Sequence, residues 1–328
     1  MAFSSSADRI LGRWVLGVLL AVGLALALLG LINRLVYGPT GPVRAYFSAL
    51  QEGRGGAALG ILGVSAPEGA GAALLDGQGL RQASTGLEGL DFSQVEFVEG
   101  DRARVTASYR LDGREGQTVF EVQKVGSHWG VFDHWQLRAP ESLPLVEVSV
   151  GSAQAATLNG VKVPVEGSGS SFAVLYPASV TLSYESVFLR AESESLLVQG
   201  PQDSGQGLGL VLEPSEAART QVQQQVRAWL DACAAQDSLY PSGCPFEYDF
   251  SGRVDGAVAW SVLAYPETEL SFEKGQWALK AGQGKAQLVF TELDLLTGER
   301  RQVKRELPFK VAGRLSQEDK TLVFRPTV

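Results

Sequence analysis

Residues 14–32 read WVLGVLLAVGLALALLGLI, an unbroken run of 19 apolar residues near the start of a chain of 328. A helix rises about 1.5 Å per residue, so this run reaches about 28 Å, close to the thickness of a bilayer's hydrocarbon core. Trp14 and Tyr37 stand at its two ends, where amphipathic rings favour the headgroup layer. The run therefore predicts a membrane-spanning helix within residues 14–36.

A cleaved secretory signal is the competing interpretation of this run. Its apolar stretch would span roughly 7 to 15 residues and end at a small-residue cleavage site. Here Ala25 and Ala27 lie inside the run, and residues 28–32 continue it, which favours an uncleaved signal anchor. A lipoprotein anchor is excluded because no cysteine follows the run.

The charges beside the run predict its orientation. Arg9, Arg13 and the α-amino group precede it, opposed by Asp8, whereas Arg34 follows it. Positive charge accumulates on the cytoplasmic side of a span, so we expect residues 1–13 to be a cytoplasmic tail. The expected localisation is the cell membrane, with a single pass and the bulk of the chain extracytoplasmic.

The two cysteines of the chain, Cys233 and Cys244, are interpreted in the light of that orientation. Thiols outside the cytoplasm oxidise to each other, and closing a loop of this length stabilises a fold by about 3 kcal/mol in the chain-entropy model. The pattern therefore favours a disulfide. A free pair, a metal site and a redox pair remain weaker alternatives, because zinc takes four ligands and a redox pair is typically spaced Cys-x-x-Cys.

Residues 38–140 predict an α+β domain. GPTGPVRAYFSALQEG (38–53) has apolar residues at helical spacing, and a Gly/Ala-rich stretch follows that predicts either short irregular helices or a loose flap. Four segments then alternate with period two, which predicts four consecutive antiparallel strands joined by turns, with His128 in the last turn. The segments are QVEFVEG, RARVTASYRLDG, QTVFEVQKVG and HWGVFDHWQLRAP.

The run from VRAYFSALQEG to HWGVFDHWQL resembles the NTF2-like (cystatin-like) cone, in which an opening helix packs into a bent sheet. Enzymes of that superfamily place Asp, His or Tyr in the mouth of the cone. The candidates here are Asp133 and His134, which alternate on one strand and so leave opposite faces. We therefore expect a solvated strand face, no catalytic residue and no enzyme; an acid/base site is the minor alternative.

The remaining exterior predicts two further modules. Short alternating segments in residues 144–201 predict a small all-β module, similar to β modules of Gram-positive surface proteins, and residues 199–215 have the composition of a linker. Residues 214–328 predict a second α+β, cone-like domain, in which Ser215 caps a helix. Its apolar positions are Val222, Val226, Trp229, Leu230 and Cys233.

After that helix the pattern predicts a meander of strands, with Thr297 and Gly298 in the longest hairpin turn. Its strands are GAVAWSVLAYP, LSFEKGQWALK, KAQLVFTELDLL, RQVKRELPFKVAGRL and TLVFRP. Helix followed by meander repeats the plan of residues 38–140, which suggests a divergent duplication. A Cys233–Cys244 bridge would join the helix to the sheet.

Residues 229–246, WLDACAAQDSLYPSGCPF, resemble a signature of single-pass, membrane-anchored actinobacterial proteins with NTF2-like extracytoplasmic domains. The layout of span, small β modules and terminal cone is similar, more distantly, to the teicoplanin-resistance-associated membrane proteins. These resemblances imply a role in the cell envelope, with a cell-wall polymer, a peptidoglycan precursor or another envelope protein as partner.

The charges of the chain limit the kinds of ligand that it can bind. The net charge of −8 disfavours nucleic acid, which requires clustered positive charge, and no cofactor or metal pattern occurs. Arg300, Arg301, Lys304 and Arg305 form one basic group that predicts a possible anionic-ligand patch; such charges also protect strand edges from aggregation.

The sequence as a whole predicts a membrane-anchored, non-enzymatic scaffold, sensor or binding protein of the bacterial envelope. One alternative is an NTF2-like domain that binds or turns over a small hydrophobic ligand. Another is an accessory subunit of a membrane complex, with helix pairing through the small residues of the span. Those residues are Gly17, Ala21, Gly23, Ala27 and Gly30.

Overall fold

The computed structural model describes residues 6–35, 37–98, 100–128, 132–167, 169–280 and 282–327, and within α1 the side chains of residues 13–30. The fold class is α+β, as the sequence predicts, with a body rich in sheet. The helices in these ranges are α1 (Ser6–Leu35), α2 (Thr40–Gln51), α3 (Gly55–Leu62), α4 (Gly77–Ala83) and α5 (Glu216–Ala234).

The strands are β1 (Gly71–Leu74), β2 (Glu88–Val98), β3 (Arg102–Leu111), β4 (Arg114–His128), β5 (Phe132–Leu137), β6 (Leu145–Val150), β7 (Ala155–Leu158), β8 (Val161–Pro164), β9 (Ser170–Val174), β10 (Ala178–Glu185), β11 (Leu189–Val198), β12 (Gln206–Leu210), β13 (Glu213–Pro214), β14 (Arg253–Val254), β15 (Ala259–Ala264), β16 (Glu269–Glu273), β17 (Gln276–Lys280), β18 (Gly282–Leu293), β19 (Arg300–Glu318) and β20 (Thr321–Thr327).

The chain packs as two compact units. Unit 1 comprises residues 1–149, 157–182 and 194–208, and unit 2 comprises residues 150–156, 183–193 and 209–328. The segment 144–201 contributes to both units. Its independence as a small β module, and the division into three exterior modules, remain predictions.

Helix α1 is long and apolar enough to cross a membrane. None of its 18-residue apolar window, Arg13–Gly30, is buried by the rest of the protein. A core helix of a soluble protein would cover its apolar face with neighbours, whereas the described leucines and valines from Val15 to Leu28 are all exposed. Its length and composition fit a membrane anchor or a signal sequence.

Unit 1 contains the helix and the four-stranded meander that the sequence predicts for residues 38–140. The sheet has the order β2-β3-β4-β5, and every pair is antiparallel. Alternate residues of β3 are buried, from Ala103 to Leu111, because period two puts them on one face. Helix α2 buries Val43, Tyr46, Phe47 and Leu50. His128 ends β4 instead of lying in the following turn, and the predicted turn residues 129–131 lie outside the described residues.

The Gly/Ala-rich stretch forms short helices, the first of the two predicted alternatives. Helices α3 and α4 flank β1, and the start of α3 presses against the backbone that follows β1. The Gly55 amide donates to Asp76 Oδ1 at 2.8 Å, and a Cβ on Gly55 would lie 1.7 Å from the Leu75 carbonyl oxygen. A glycine is therefore required at this contact.

The prediction of a linker at residues 199–215 is wrong. This segment contains a 3₁₀ turn (Pro201–Asp203) and β12, which is the edge strand of a mixed sheet of order β1-β9-β6-β12. Leu208, Leu210 and Leu212 are buried, because the glycines of GLGLVL alternate with leucines at the period of a strand. A second sheet has the order β13-β11-β10-β7-β8.

In unit 2, α5 begins as predicted: Ser215 Oγ accepts a hydrogen bond from the Ala218 amide at 3.2 Å. The helix buries one face against a sheet of order β14-β18-β19-β20, to which β15 is added beside β18. The prediction of one strand for LSFEKGQWALK is wrong, because these residues form the β16–β17 hairpin. Lys274 (φ 50°) and Gly275 (φ 79°) both adopt left-handed conformations and reverse the chain.

Candidate functional site

Unit 1 has a cleft between α2, α3 and β5, which we call the α2–β5 cleft. Its volume is about 510 Å³. It begins at Tyr37, two residues after the end of α1, and strand β5 forms one of its walls. The lining residues are Tyr37, Gly38, Gly41, Pro42, Ala45, Gly60, Ile61, Gly63 and residues 133–137.

Missing side chains make room for this cleft. Four of its lining residues are glycines, at positions 38, 41, 60 and 63. A Cβ placed on Gly41 or on Gly60 would meet no atom within 4 Å. At these two positions α2 and α3 therefore present backbone to the cleft, with room for a side chain.

Aromatic contacts hold β5 in place. The rings of Tyr37 and Phe132 lie 4.6 Å apart, centroid to centroid, so the second residue after α1 contacts the first residue of β5. Trp135 packs edge to face with Phe97 at 6.3 Å, although Phe97 remains 66% exposed. Strand β5, which forms a wall of the cleft, is thus in contact with the chain that follows α1.

The two candidate acid/base residues both line the cleft but have separate neighbours. Asp133 Oδ1 lies 2.6 Å from Lys124 Nζ, and this hydrogen bond raises the pKa of Lys124. His134 Nε2 lies 3.4 Å from Gln136 Nε2. Strand alternation predicts that the two side chains leave opposite faces of β5, yet both residues border this one cleft.

The interior between α2 and the sheet is filled by aromatic side chains. Phe47 contacts Phe120 at 5.8 Å and Tyr109 at 6.2 Å, and Phe120 stacks on Tyr176 at 6.0 Å. The Tyr46 hydroxyl, which is fully buried, donates to the Tyr176 carbonyl at 2.7 Å. Burial raises the pKa of Tyr46 well above its ordinary value.

A second buried hydroxyl, that of Tyr109, belongs to a short chain of hydrogen bonds. Thr118 Oγ1 donates to the Gln199 carbonyl at 2.7 Å, so Tyr109 donates to Thr118 Oγ1 at 2.9 Å. Among the described residues, no buried side-chain nitrogen or oxygen lacks a hydrogen-bond partner. The interior of unit 1 is therefore filled by side chains, and its buried polar groups are hydrogen-bonded.

The predicted Cys233–Cys244 disulfide is present, with the two Cα atoms 5.7 Å apart. Trp229 Nε1 donates to the Gly243 carbonyl at 3.1 Å, and Gln236 Oε1 accepts from the Ser242 amide at 2.8 Å. These bonds join the end of α5 to the turn that contains Cys244. Phe246, two residues further, packs on Trp260 and Phe309 of the sheet. The bridge has a structural role.

The four basic residues of the predicted patch do not converge. Arg300 Nε lies 2.5 Å from Asp255 Oδ2, and Arg301 lies 2.6 Å from Glu292. Lys304 and Arg305 are exposed, but as neighbours on β19 they leave opposite faces of the sheet. Two of the cations are thus neutralised and the other two diverge, which weakens the geometry for a phosphate or a wall polymer.

The end of the β18–β19 hairpin is an exposed apolar surface that the sequence analysis did not predict. Leu295 and Leu296 are 76% and 98% exposed. Asp294 Oδ1 accepts hydrogen bonds from the amides of Thr297 and Leu296, and these bonds lower the pKa of Asp294. The signal for this ordered turn was Asp294 at its first position, where an aspartate typically accepts such bonds.

No cluster of three or more His, Cys, Asp or Glu side chains suited to a metal ion occurs in the described part of the chain. No family model, curated protein or solved structure matches the chain. The α2–β5 cleft is the candidate site that the geometry of unit 1 supports best, because apolar and charged groups meet there beside open space. The glycines at positions 38, 41, 60 and 63 were its signal in the sequence.

Proposed function

We propose that this protein is a single-pass membrane protein of the bacterial cell envelope, with a cytoplasmic N-terminal tail and an extracytoplasmic, non-enzymatic body that binds or scaffolds other envelope components. The observation that carries the proposal is that none of the apolar window of α1, Arg13–Gly30, is buried by the body, although the helix is long enough to span a membrane. Lipid is the surrounding that such a helix requires.

The disulfide supports an extracytoplasmic body. Disulfides persist in oxidising compartments and are rare in the cytosol. Cys233 and Cys244 are both buried in unit 2, in the core beside Trp260, so the bond belongs to the folding of that unit. Together with Arg9 and Arg13 before the apolar run, this favours the orientation with the N-terminus inside.

The closed interior of unit 1 supports binding or scaffolding over catalysis. We propose that residues 38–140 form an NTF2-like cone, with α2 packed on the sheet β2-β3-β4-β5. Enzymes of this kind would need titratable groups converging in an open pocket. In this protein aromatic rings occupy that space, and their hydroxyl groups are already hydrogen-bonded.

The partner that we propose is a component of the envelope: a cell-wall polymer, a peptidoglycan precursor or another membrane protein. This part of the proposal comes from the resemblance of residues 229–246 to membrane-anchored envelope proteins. The paired charges at Arg300 and Arg301 make the β18–β19 hairpin a poorer surface for an anionic polymer than its sequence suggests.

Cysteine labelling in intact bacteria expressing the full chain tests the topology. In a background with Cys233→Ala and Cys244→Ala, one variant carries Leu296→Cys in the exposed turn and a second carries Ser5→Cys in the tail. We expect a membrane-impermeant maleimide to label Leu296→Cys directly. Ser5→Cys should react only after the membrane is permeabilised, because the reagent can reach the cytoplasmic tail only then.

The anchor is tested in the same cells by the mass of the mature chain and by its resistance to alkaline carbonate extraction. An uncleaved anchor keeps the N-terminal residues and stays in the membrane pellet. The opposite labelling pattern, or a mature chain that begins after Ile32, would overturn the proposed function.

A further inference from the structure

We propose that the α2–β5 cleft binds a phospholipid from the outer leaflet of the membrane that α1 spans. This inference rests on the proposed function, because it requires α1 to be in the membrane. It adds a ligand class and a site to that proposal. Three features of the cleft carry it: its position along the chain, the chemistry of its lining and its open glycine wall.

The position follows from the length of chain between the span and the cleft. The apolar run ends at Ile32, and α1 continues to Leu35, which adds about 4.5 Å at 1.5 Å per residue. Two further residues to Tyr37 add at most about 7 Å. The cleft therefore begins within about 12 Å of the hydrocarbon edge, beside a headgroup layer roughly 5 to 8 Å thick.

The end of this short connection, Tyr37, is held by a contact with β5. Tyr37 packs on Phe132 at 4.6 Å, so the chain that leaves α1 is attached directly to the cleft wall. A tyrosine at this level favours the boundary between lipid and water. The cleft cannot drift far from the bilayer surface while α1 is inserted.

The lining is amphipathic, as a lipid is. Tyr37, Ile61 and Leu137 offer apolar surface, whereas Asp133 and Gln136 offer polar groups. Lys124 Nζ, which is not part of the lining, lies 2.6 Å from Asp133 Oδ1. The Gln136 amide can donate to a headgroup phosphate, and the Asp133 carboxylate can accept from a headgroup amine.

The cleft has room for the headgroup and the start of the acyl chains. Its volume of about 510 Å³ falls within the range of small-molecule sites. Gly60 lies within α3, and a side chain there would enter open space without backbone strain. A large side chain at position 60 is therefore expected to fill the cleft and to leave the fold intact.

Photocrosslinking in nanodiscs tests the inference with the full chain. The discs contain phosphatidylcholine and a small fraction of phosphatidylethanolamine that carries a diazirine near the carboxyl end of one acyl chain. After illumination, mass spectrometry assigns crosslinks to peptides. We expect crosslinks in residues 13–30 from the span, and a second group in residues 37–63 and 132–137 from the cleft.

The variant Gly60→Phe should reduce the cleft crosslinks about tenfold and leave those in residues 13–30 unchanged. Gly56→Phe is the matched control. It lies on the same helix, is exposed, has open space at its Cβ and does not line the cleft. Since helical side chains lean toward the N-terminus, a phenylalanine at position 56 leans away from position 60. Its crosslinks should equal those of the wild type.

Each result decides one claim. Crosslinks in the span but none in the cleft, or cleft crosslinks that Gly60→Phe leaves unchanged, would overturn the lipid site and leave the proposed anchor standing. Absence of crosslinks in residues 13–30 would instead overturn the anchor. A diazirine fatty acid that labels the cleft as efficiently as the phospholipid would identify a free amphiphile as the ligand and would refute the proposal.

Discussion

Single residues in unit 1 show how polar groups are buried without cost to the fold. Tyr46, Tyr109 and Tyr176 bury their rings in the interior, where an unpaired hydroxyl would cost roughly 1 to 3 kcal/mol. Tyr46 and Tyr109 donate to a carbonyl and to Thr118. Burial raises the pKa of Tyr109 and that of Tyr176 to about 12.

These pKa values predict alkaline unfolding of unit 1. A tyrosine in the unfolded chain ionises near pH 10, so below that value the stabilisation is complete. As the pH rises from about 10 toward 12, the unfolded state loses its protons first and the free energy of unfolding falls. The phenolate absorbance that the buried tyrosines contribute above about pH 10 should therefore appear together with the change in the circular dichroism of the full chain in nanodiscs.

The variant Tyr176→Phe keeps the stack on Phe120 and removes one titrating hydroxyl. Its alkaline transition should lie at higher pH than that of the wild type. Ionisation of all tyrosines near pH 10 with no change in the circular dichroism would contradict the burial of these hydroxyl groups.

At the scale of elements, α5 shows how a helix is fixed at both ends. Ser215 caps its first turn, and the disulfide at Cys233 holds its last turn to the chain that enters the sheet. Between them Val222, Val226 and Leu230 are fully buried. The cap and the apolar period were legible in the sequence, because each involves residues within four positions of one another.

Removing the bridge with Cys233→Ala and Cys244→Ala should lower the free energy of unfolding of unit 2 by about 3 kcal/mol, because the unfolded chain regains the freedom of the loop. Urea unfolding followed by tryptophan fluorescence measures this loss. A reductant should reproduce it in the wild type. Ser215→Ala is the control: it should cost about 1 kcal/mol whether or not a reductant is present. Equal stability with and without the bridge would contradict its structural role.

The β16–β17 hairpin shows where a local pattern misled the sequence prediction. LSFEKGQWALK alternates like one strand, yet Lys274 and Gly275 both take left-handed conformations and fold it back on itself. Gly275 takes that conformation without strain, but a lysine does so only in particular surroundings. The reversal at Lys274 and Gly275 divides the eleven residues into two antiparallel strands that pair with each other.

At the scale of the whole molecule, the buried side chains of the described core extend from Val43 to Phe324, and none belongs to α1. The body therefore owes its packing to residues that follow the span. The net charge of the whole chain is −8, and a net charge well away from zero favours solubility.

A chain that starts at Gly38 should accordingly fold as a soluble protein. It loses the Tyr37–Phe132 contact and the first wall residue of the cleft, but no core side chain. We expect a monodisperse species in sedimentation, with a melting temperature within a few degrees of that of the full chain in nanodiscs. Aggregation of this shortened chain would mean that the body needs α1 to cover an apolar surface.

The sequence by itself determined the features that are encoded within a short window of the chain. The apolar run of α1, the capped amphipathic α5 and the meander β2-β3-β4-β5 all follow from the period, the length or the chemistry of neighbouring residues. These signals needed no knowledge of distant parts of the chain.

Only the tertiary structure decided which distant residues meet. It turned a linker-like segment into strand β12, gave Asp255 and Glu292 to the arginines of the basic hairpin, and opened a cleft between Gly60 and β5. The physical reason is that a strand's partner, a cation's counter-ion and an empty volume depend on groups many residues away. Local periodicity carries no information about those groups.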